Sequence, residues 1–320
     1  MDAVPKTTDS PTAFERLLKG DVPALARAIS ILESGGPSAD ALSVRLRDHA
    51  GRARVIAFTG PPGAGKSTLV NAYVAELRQD NEPVAILAVD PSSPLSGGAV
   101  LGDRTRMGAH SIDKGVFIRS IAARNHLGGL SLSLPAILDA VDAAGWPTII
   151  LETVGAGQSE TEIAEFADIK IVLNAPGLGD DVQAIKAGIL EIADILVVNK
   201  SDLPLADRTV SQLQAMLDLR QGESREIPIV ATSATELSGI KELADAVSEL
   251  SERLAAEPFD VKQGRRLRGL LKRRTQRLFQ ERFDAIATED MDTACREVRD
   301  GSLSVNDAVV RLLNLASRLP

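Results

Sequence analysis

The sequence predicts an α/β fold: a doubly wound, mostly parallel sheet, with helices ahead of it and a helical segment behind it. Three observations carry this. Short β-branched, apolar runs recur seven times between residues 51 and 255. Helix-length segments separate them, and strand–helix alternation at that spacing builds parallel sheets. Most of the runs are continuous rather than alternating, as suits strands covered on both faces.

The elements follow in chain order. Phe14, Leu17, Leu18, Leu25, Ile29 and Leu32 recur at helical spacing, interrupted near Gly20-Asp21-Val22-Pro23, so 11–50 reads as helices beside the main domain. Strands are expected at Val55–Thr59, Val84–Asp90, Val116–Ile118, Thr148–Glu152, Ile169–Leu173, Ile195–Val198 and Ile229–Ala231. Helices are expected over 66–80, 127–144, 159–167, 181–193, 205–219 and 236–255. Composition shifts after Glu257-Pro258. Nine Lys/Arg then fall within 262–282, while Leu267, Leu270, Leu271, Leu278, Phe279 and Phe283 share a helical stripe. A solvated basic face over an apolar seam accounts for that pattern, and such a seam wants a partner helix. A helix over 304–318 closes the chain. The expected organisation is an N-terminal helical extension (1–50), a central α/β domain (51–255) and a C-terminal helical segment (256–320).

Composition narrows the function. The chain has 320 residues, enough for about two domains. Hydrophobic residues at 44% and charged residues at 25% exclude disordered, collagenous and coiled-coil classes. A single cysteine, Cys295, and three histidines exclude a disulfide framework and any Cys/His-built zinc module. They fit a reducing cytosol. Met1-Asp2-Ala3-Val4-Pro5-Lys6 does not open a secretory signal, and no apolar stretch approaches the roughly 20 residues of a membrane span. A cytoplasmic protein without membrane contact is therefore expected. A net charge of −8 speaks against a nucleic-acid partner.

Three motifs carry chemistry. Gly60-Pro61-Pro62-Gly63-Ala64-Gly65-Lys66-Ser67-Thr68 matches G-x-x-x-x-G-K-[ST] between an expected strand and an expected helix, the context the motif requires. Its glycines let backbone N–H groups surround phosphate oxygens, and the helix N-terminus adds positive potential. Lys66 is expected to bridge the β- and γ-phosphates, and the Ser67 hydroxyl to ligate Mg²⁺. Asn199-Lys200-Ser201-Asp202 follows the strand Ile195–Val198. N-K-x-D at a strand end reads guanine, because the Asp202 carboxylate accepts from guanine N1–H and the exocyclic amine. Adenine offers an acceptor at N1, and mispairing buried polar groups costs about 1–3 kcal/mol each. Asn199 would tie this loop to the phosphate loop, and the Lys200 stem would lie along the base. Thr232-Ser233-Ala234 would supply backbone donors to the guanine carbonyl.

Glu152, ending an apolar strand, holds the acidic position that supports Mg²⁺, and the Gly155 N–H is placed to meet the γ-phosphate. Asp90 and Asp103 flank the Pro/Ser/Gly-rich stretch 91–98, either as parts of a nucleotide-responsive loop or as plain loop caps. Arg104 and Arg106 serve either transition-state charge or ordinary salt bridges. No glutamine directly follows Gly155, although Gln158 lies three residues on. Slow intrinsic hydrolysis is therefore expected.

The segments GPPGAGKSTLVNAY, VDPSSPLSGGAVLGDRTRM, ILETVGAGQSE and LVVNKSD together resemble the MeaB/ArgK family of GTPases associated with methylmalonyl-CoA mutase. The resemblance covers about 45–255 closely and the flanks more loosely. It implies a P-loop GTPase fold, Mg²⁺-dependent hydrolysis of GTP to GDP, and a homodimer formed by the C-terminal helices. It also implies a chaperone role toward an adenosylcobalamin-dependent mutase. By the same resemblance Asp90, Asp103 and Glu152 match the acidic positions around the metal. Lys186, in 177–186, is the candidate in an additional switch facing the mutase, or an ordinary helix lysine. Arg104 stands where lysine is common in the family, and Leu178 where small residues are frequent. The alternatives are a metal-insertion GTPase and an amino-acid-transport-associated P-loop kinase or ATPase; the base-reading motif speaks against ATP.

Overall fold

The computed structural model describes residues 12–91, 110, 112–123, 133–153, 166–177, 192–218, 226–255, 264, 268, 271, 275–276 and 278–318. Its elements are α1 (Ala13–Leu18), α2 (Val22–Ser34), α3 (Pro37–Arg47), β1 (Arg54–Thr59), α4 (Lys66–Gln79), β2 (Val84–Pro91), β3 (Val116–Ala123) and α5 (Leu134–Ala143). They continue with β4 (Thr148–Thr153), β5 (Ile169–Asn174), β6 (Ile195–Val198), α6 (Ala206–Asp218), β7 (Ile229–Ala231), α7 (Ile240–Ala255), α8 (Thr288–Arg299) and α9 (Val305–Arg318). The chain divides into two compact units, Met1–Gln263 and Gly264–Pro320.

In the first unit all seven strands form one sheet, in the order β3-β2-β4-β1-β5-β6-β7, and every pairing is parallel. The continuous apolar runs are buried because both faces are covered. Ile56, Phe58, Ile86, Ile150, Ile171 and Leu173 share one core with Leu69, Val70 and Tyr73 of α4 and Leu243 and Val247 of α7. Val55, Ala57, Leu87, Ile149 and Leu151 share another with Leu25, Ile29 and Leu32 of α2 and Leu46 of α3. The N-terminal helices are thus part of the sheet's own packing. Sequence starts them cleanly: Thr12 forms a capping box with Glu15, and Asp21 caps α2 through the Ala24 N–H at 2.8 Å.

Element ends depart from the sequence reading where tertiary contacts intervene. β3 runs on to Ala123, five residues past the expected end at Ile118, in register with all of β2. Arg119 interrupts the apolar run there, yet its guanidinium reaches Glu33 of α2 at 3.1 Å, which lets a charged residue sit in the strand. The helix expected from residue 236 begins at Ile240, because Ser233 and Ser238 pair across a turn first. Phe166 and Ala167, expected at a helix end, are not helical.

Where β1 begins, the buried Asp142 carboxylate accepts from the N–H groups of Gly51, at 2.5 Å, and Arg52, at 2.9 Å. That fixes the chain's entry into the central strand. In the second unit α8 and α9 pack together, burying Ala294, Ala308 and Ala316, with an Arg311–Glu297 ion pair at 2.7 Å. α9 exposes Val305, Val309, Val310 and Leu313.

Candidate nucleotide site

β1 lies between β4 and β5, and the chain runs to opposite sides of it, so the crevice beyond its C-terminal end is where such sheets bind ligands. The glycine-rich loop starts at that end. Gly60 has φ 144°, and a Cβ there would stand 2.4 Å from the Leu173 carbonyl oxygen. Only glycine lets the loop leave against β5. Gly65, at φ 90°, opens α4 without any side-chain cap, and a Cβ there would meet Asn199 Nδ2 at 2.5 Å. The first N–H groups of α4 are thereby left for a ligand. Lys66 is buried and folds back over the loop, its ammonium donating to the Gly60 carbonyl and, at 3.1 Å, to the Pro61 carbonyl. Ser67 donates its hydroxyl proton to Glu152, which is only 1% exposed near the end of β4. Thr68 is exposed on the first turn of α4.

The Asn-Lys-Ser-Asp segment sits two strands away, at the end of β6. Asn199, 1% exposed, is the joint between the halves. Its Nδ2 donates to the Ala64 carbonyl at 2.9 Å, while its Oδ1 accepts from the Ala234 N–H and the Thr232 hydroxyl, both at 3.2 Å. Asp202 is exposed and accepts from the Ser233 hydroxyl at 2.5 Å. Lys200 holds φ 59°, a left-handed conformation within the turn. Sequence reasoning gave Thr232 only a backbone role. Its hydroxyl orients Asn199, and the signal available was a threonine ending the run Ile229–Ala231.

Gly60, Gly63, Ala64, Gly65, Lys66, Ser67 and Thr68 thus form one loop and helix start. Glu152 faces them, and Asn199 draws Lys200, Asp202, Ser233 and Ala234 alongside. Asp90 ends the expected run in β2, its backbone paired with Ala122; its side chain lies outside what is described. Asp103, Gly155 and Lys186 lie outside the described residues. Among the described residues no three His, Cys, Asp or Glu side chains converge as a metal cluster. Ser67 and Glu152 are instead two hard oxygen donors, the kind of set that suits a Mg²⁺ ion keeping phosphate and water ligands.

A parallel sheet with a glycine-rich loop after its central strand, joined by one asparagine to the Asn-Lys-Ser-Asp turn after β6, is the fold of a P-loop GTPase. The family described as methylmalonyl Co-A mutase-associated GTPase MeaB matches residues 25–289. The chain belongs to this family. A Pyrococcus abyssi protein carrying a GTPase name is 46% identical over 243 residues, 75% of each chain. The GTPase ArgK of Escherichia coli is 37% identical over 307 residues, 91% of this chain and 92% of its own. Among solved structures, one described as a LAO/AO transport system kinase superposes with a TM-score of 0.77 at 26% identity, over 99% of this chain and 100% of its own.

Proposed function

We propose that this GTPase is a GTP-driven chaperone for an adenosylcobalamin-dependent acyl-CoA mutase, methylmalonyl-CoA mutase or a relative. It would assist cofactor loading, protection or reactivation. The family's description supports the choice of client. The observation that carries the nucleotide chemistry is the Asn199 bridge, which joins Ala64 of the phosphate loop to Ala234 of the base loop.

In this reading GTP lies along the loop 60–65, with Lys66 and the first N–H groups of α4 on its β- and γ-phosphates. Asp202 accepts from the guanine edge, and the Ser233 and Ala234 backbone faces the base carbonyl. Ser67 and Glu152 would hold Mg²⁺, joined by Asp90 and Asp103; the ion would neutralise charge developing on the transferred phosphoryl group. Gly155 would donate to the γ-phosphate. Water attacks in line, and Lys66 with the loop amides stabilises the transition state because they are already oriented. Residues 1–50 brace the GTPase domain (51–255), Lys186 relays nucleotide state to the client, and 256–320 joins two copies. The exposed Leu271, Leu278, Val305, Val309 and Leu313 support that dimer. The protein would work in the cytoplasm, without nucleic-acid or membrane partners.

The test is capture of a purified adenosylcobalamin-dependent mutase, with GDP or a non-hydrolysable GTP analogue bound. Nucleotide-dependent association, and hydrolysis accelerated by the mutase, are expected. No association in either state sinks the chaperone reading. The name of the LAO/AO structure favours a second reading, a transport-linked kinase, which requires ATP to bind as tightly as GTP. A nickel- or zinc-delivering GTPase is disfavoured, because one cysteine and three histidines cannot supply a soft-ligand cluster.

A further inference from the structure

Three adjacent strands, β4, β1 and β5, each end in a polar residue: Thr153, Thr59 and Asn174. All three are buried, at 2%, 1% and 3% exposure. They also share one face of the sheet. Val55 and Ala57 of β1 and Ile149 and Leu151 of β4 pack with α2, whereas Ile56, Phe58 and Ile150 pack with α4. Alternation therefore turns Thr59 and Thr153 away from α4, on the side opposite Glu152, which meets Ser67. In β5, Ile169, Ile171 and Leu173 take the α4 side, so Asn174 joins the two threonines.

Buried polar groups are normally hydrogen-bonded. Yet the Thr59 hydroxyl and the Asn174 amide nitrogen have no hydrogen-bond partner among the described residues. The Thr153 hydroxyl donates to the Phe58 carbonyl at a long 3.4 Å, which leaves its oxygen able to accept. Thr59 is in register with Val172, and Asn174 stands one pleat further along β5. Neighbouring strands lie about 4.8 Å apart and one pleat is about 6.6 Å long, so the two Cα atoms are about 8 Å apart. Hydroxyl and amide do not bond directly across that gap. A shared water spans about 5.6 Å between its two neighbours and fits it. The place matters, because two loops take root there. Gly60 follows Thr59 and has no room for a Cβ against the Leu173 carbonyl, while the Asn174 carbonyl accepts the Asn199 N–H at 2.8 Å.

We propose that Thr59, Thr153 and Asn174 hold one buried water molecule, and that this water positions the glycine-rich loop relative to Asn199. The water accepts from the Asn174 amide and the Thr59 hydroxyl and donates to the Thr153 oxygen. Those three bonds are the usual complement of a buried water. An amide donor in the set suits water and repels a cation. The positioning role rests on the nucleotide reading above; the water itself does not.

The test uses the full chain with GDP. A high-resolution crystal structure is expected to show a water within hydrogen-bond distance of all three side chains; a direct Thr59–Asn174 contact overturns the site. Thr59→Val and Asn174→Leu each remove one partner while nearly keeping volume. Each is expected to lower the melting temperature of the free protein and to weaken GDP binding by about three- to tenfold, the scale of one hydrogen bond. Thr59→Ser keeps the hydroxyl and should keep the affinity. The double variant should cost less than the sum of the two, since both act on one water. Dry, orphaned groups give the opposite sign: both substitutions then raise the melting temperature, and their effects add. That result overturns the proposal. Unchanged GDP affinity in both variants, with lowered melting temperatures, overturns the positioning role. An unaltered chain that binds neither GDP nor GTP overturns the nucleotide reading instead, and the crystal structure and melting temperatures still decide the water.

Discussion

A single buried amide joins the glycine-rich loop to the turns after β6 and β7. Asn199 satisfies the Ala64 carbonyl and the Ala234 N–H, and removing it leaves both without that partner. Each orphaned group costs about 1–3 kcal/mol. Asn199→Ala is therefore expected to weaken GTP binding at least tenfold and to lower the unfolding midpoint, as read by nucleotide titration and calorimetry. Asp202→Asn separates affinity from stability. It should cost GTP affinity by ten- to hundredfold while the melting temperature of the free protein holds, because Asp202 is exposed. Tyr73 offers a spectroscopic readout, being the only tyrosine in the sequence. Burial pushes its hydroxyl well above the ordinary range, and Glu82 adds to this against the opposing pull of Arg54. A raised folded pKa favours the neutral form in the fold. That contribution is complete below the ordinary value of about 10 and is lost as pH rises beyond it. Tyrosinate absorbance at alkaline pH is thus expected to appear with unfolding; a titration near 10 in the folded protein contradicts this burial.

Among the elements, the turns after β6 and β7 carry strain that the strands do not. Leu205 and Leu237 hold φ of 77° and 58° and are 58% and 67% exposed. A leucine in that region costs about 1–3 kcal/mol and, so exposed, recovers little by packing. Leu205→Gly and Leu237→Gly are each expected to raise stability by about 1 kcal/mol, as the strain relieved exceeds the entropy glycine loses. Denaturant midpoints with an unchanged slope check this. The opposite outcome is expected in α2. Ile29 is fully buried among β-strand residues, and Ile29→Ala should cost about 2–5 kcal/mol. A loss below 1 kcal/mol would mean the N-terminal helices are a detachable cover. The seven strands were legible because apolar β-branched runs bury on both faces wherever helices flank a parallel sheet. β3 was read short because Arg119 looks like a strand end until Glu33 is seen beside it. The late start of α7 was hidden because the Ser233–Ser238 pairing has no local sequence signature.

At the scale of the whole molecule, nucleotide and fold are linked. Ligand that binds only the folded chain adds RT ln(1 + [L]/Kd), so GTP at a hundredfold excess over Kd should stabilise by about 2.7 kcal/mol. ATP at the same concentration should add far less if Asp202 reads the base as proposed, because an adenine ring cannot satisfy that carboxylate. Equal stabilisation by both would remove the guanine reading. The strand order makes the linkage mechanical: β1 stands mid-sheet, so the loop it feeds is braced by β4 through Glu152 and by β6 through Asn199.

The sequence by itself determined the fold class and the strand-to-helix setting of the glycine-rich loop, and it proposed the turn that would read the base. Each of these is set by local chemistry: glycines that free the backbone, apolar runs that must be buried, and, for the proposed turn, a carboxylate suited to one base edge. Only the tertiary structure decided which residues meet across 30 to 135 positions of chain, such as Asn199 with Ala64, Ser67 with Glu152 and Thr232 with Asn199. The reason is physical: strand order is fixed by how helices pack over the faces, and the pattern of any one strand does not encode its neighbours.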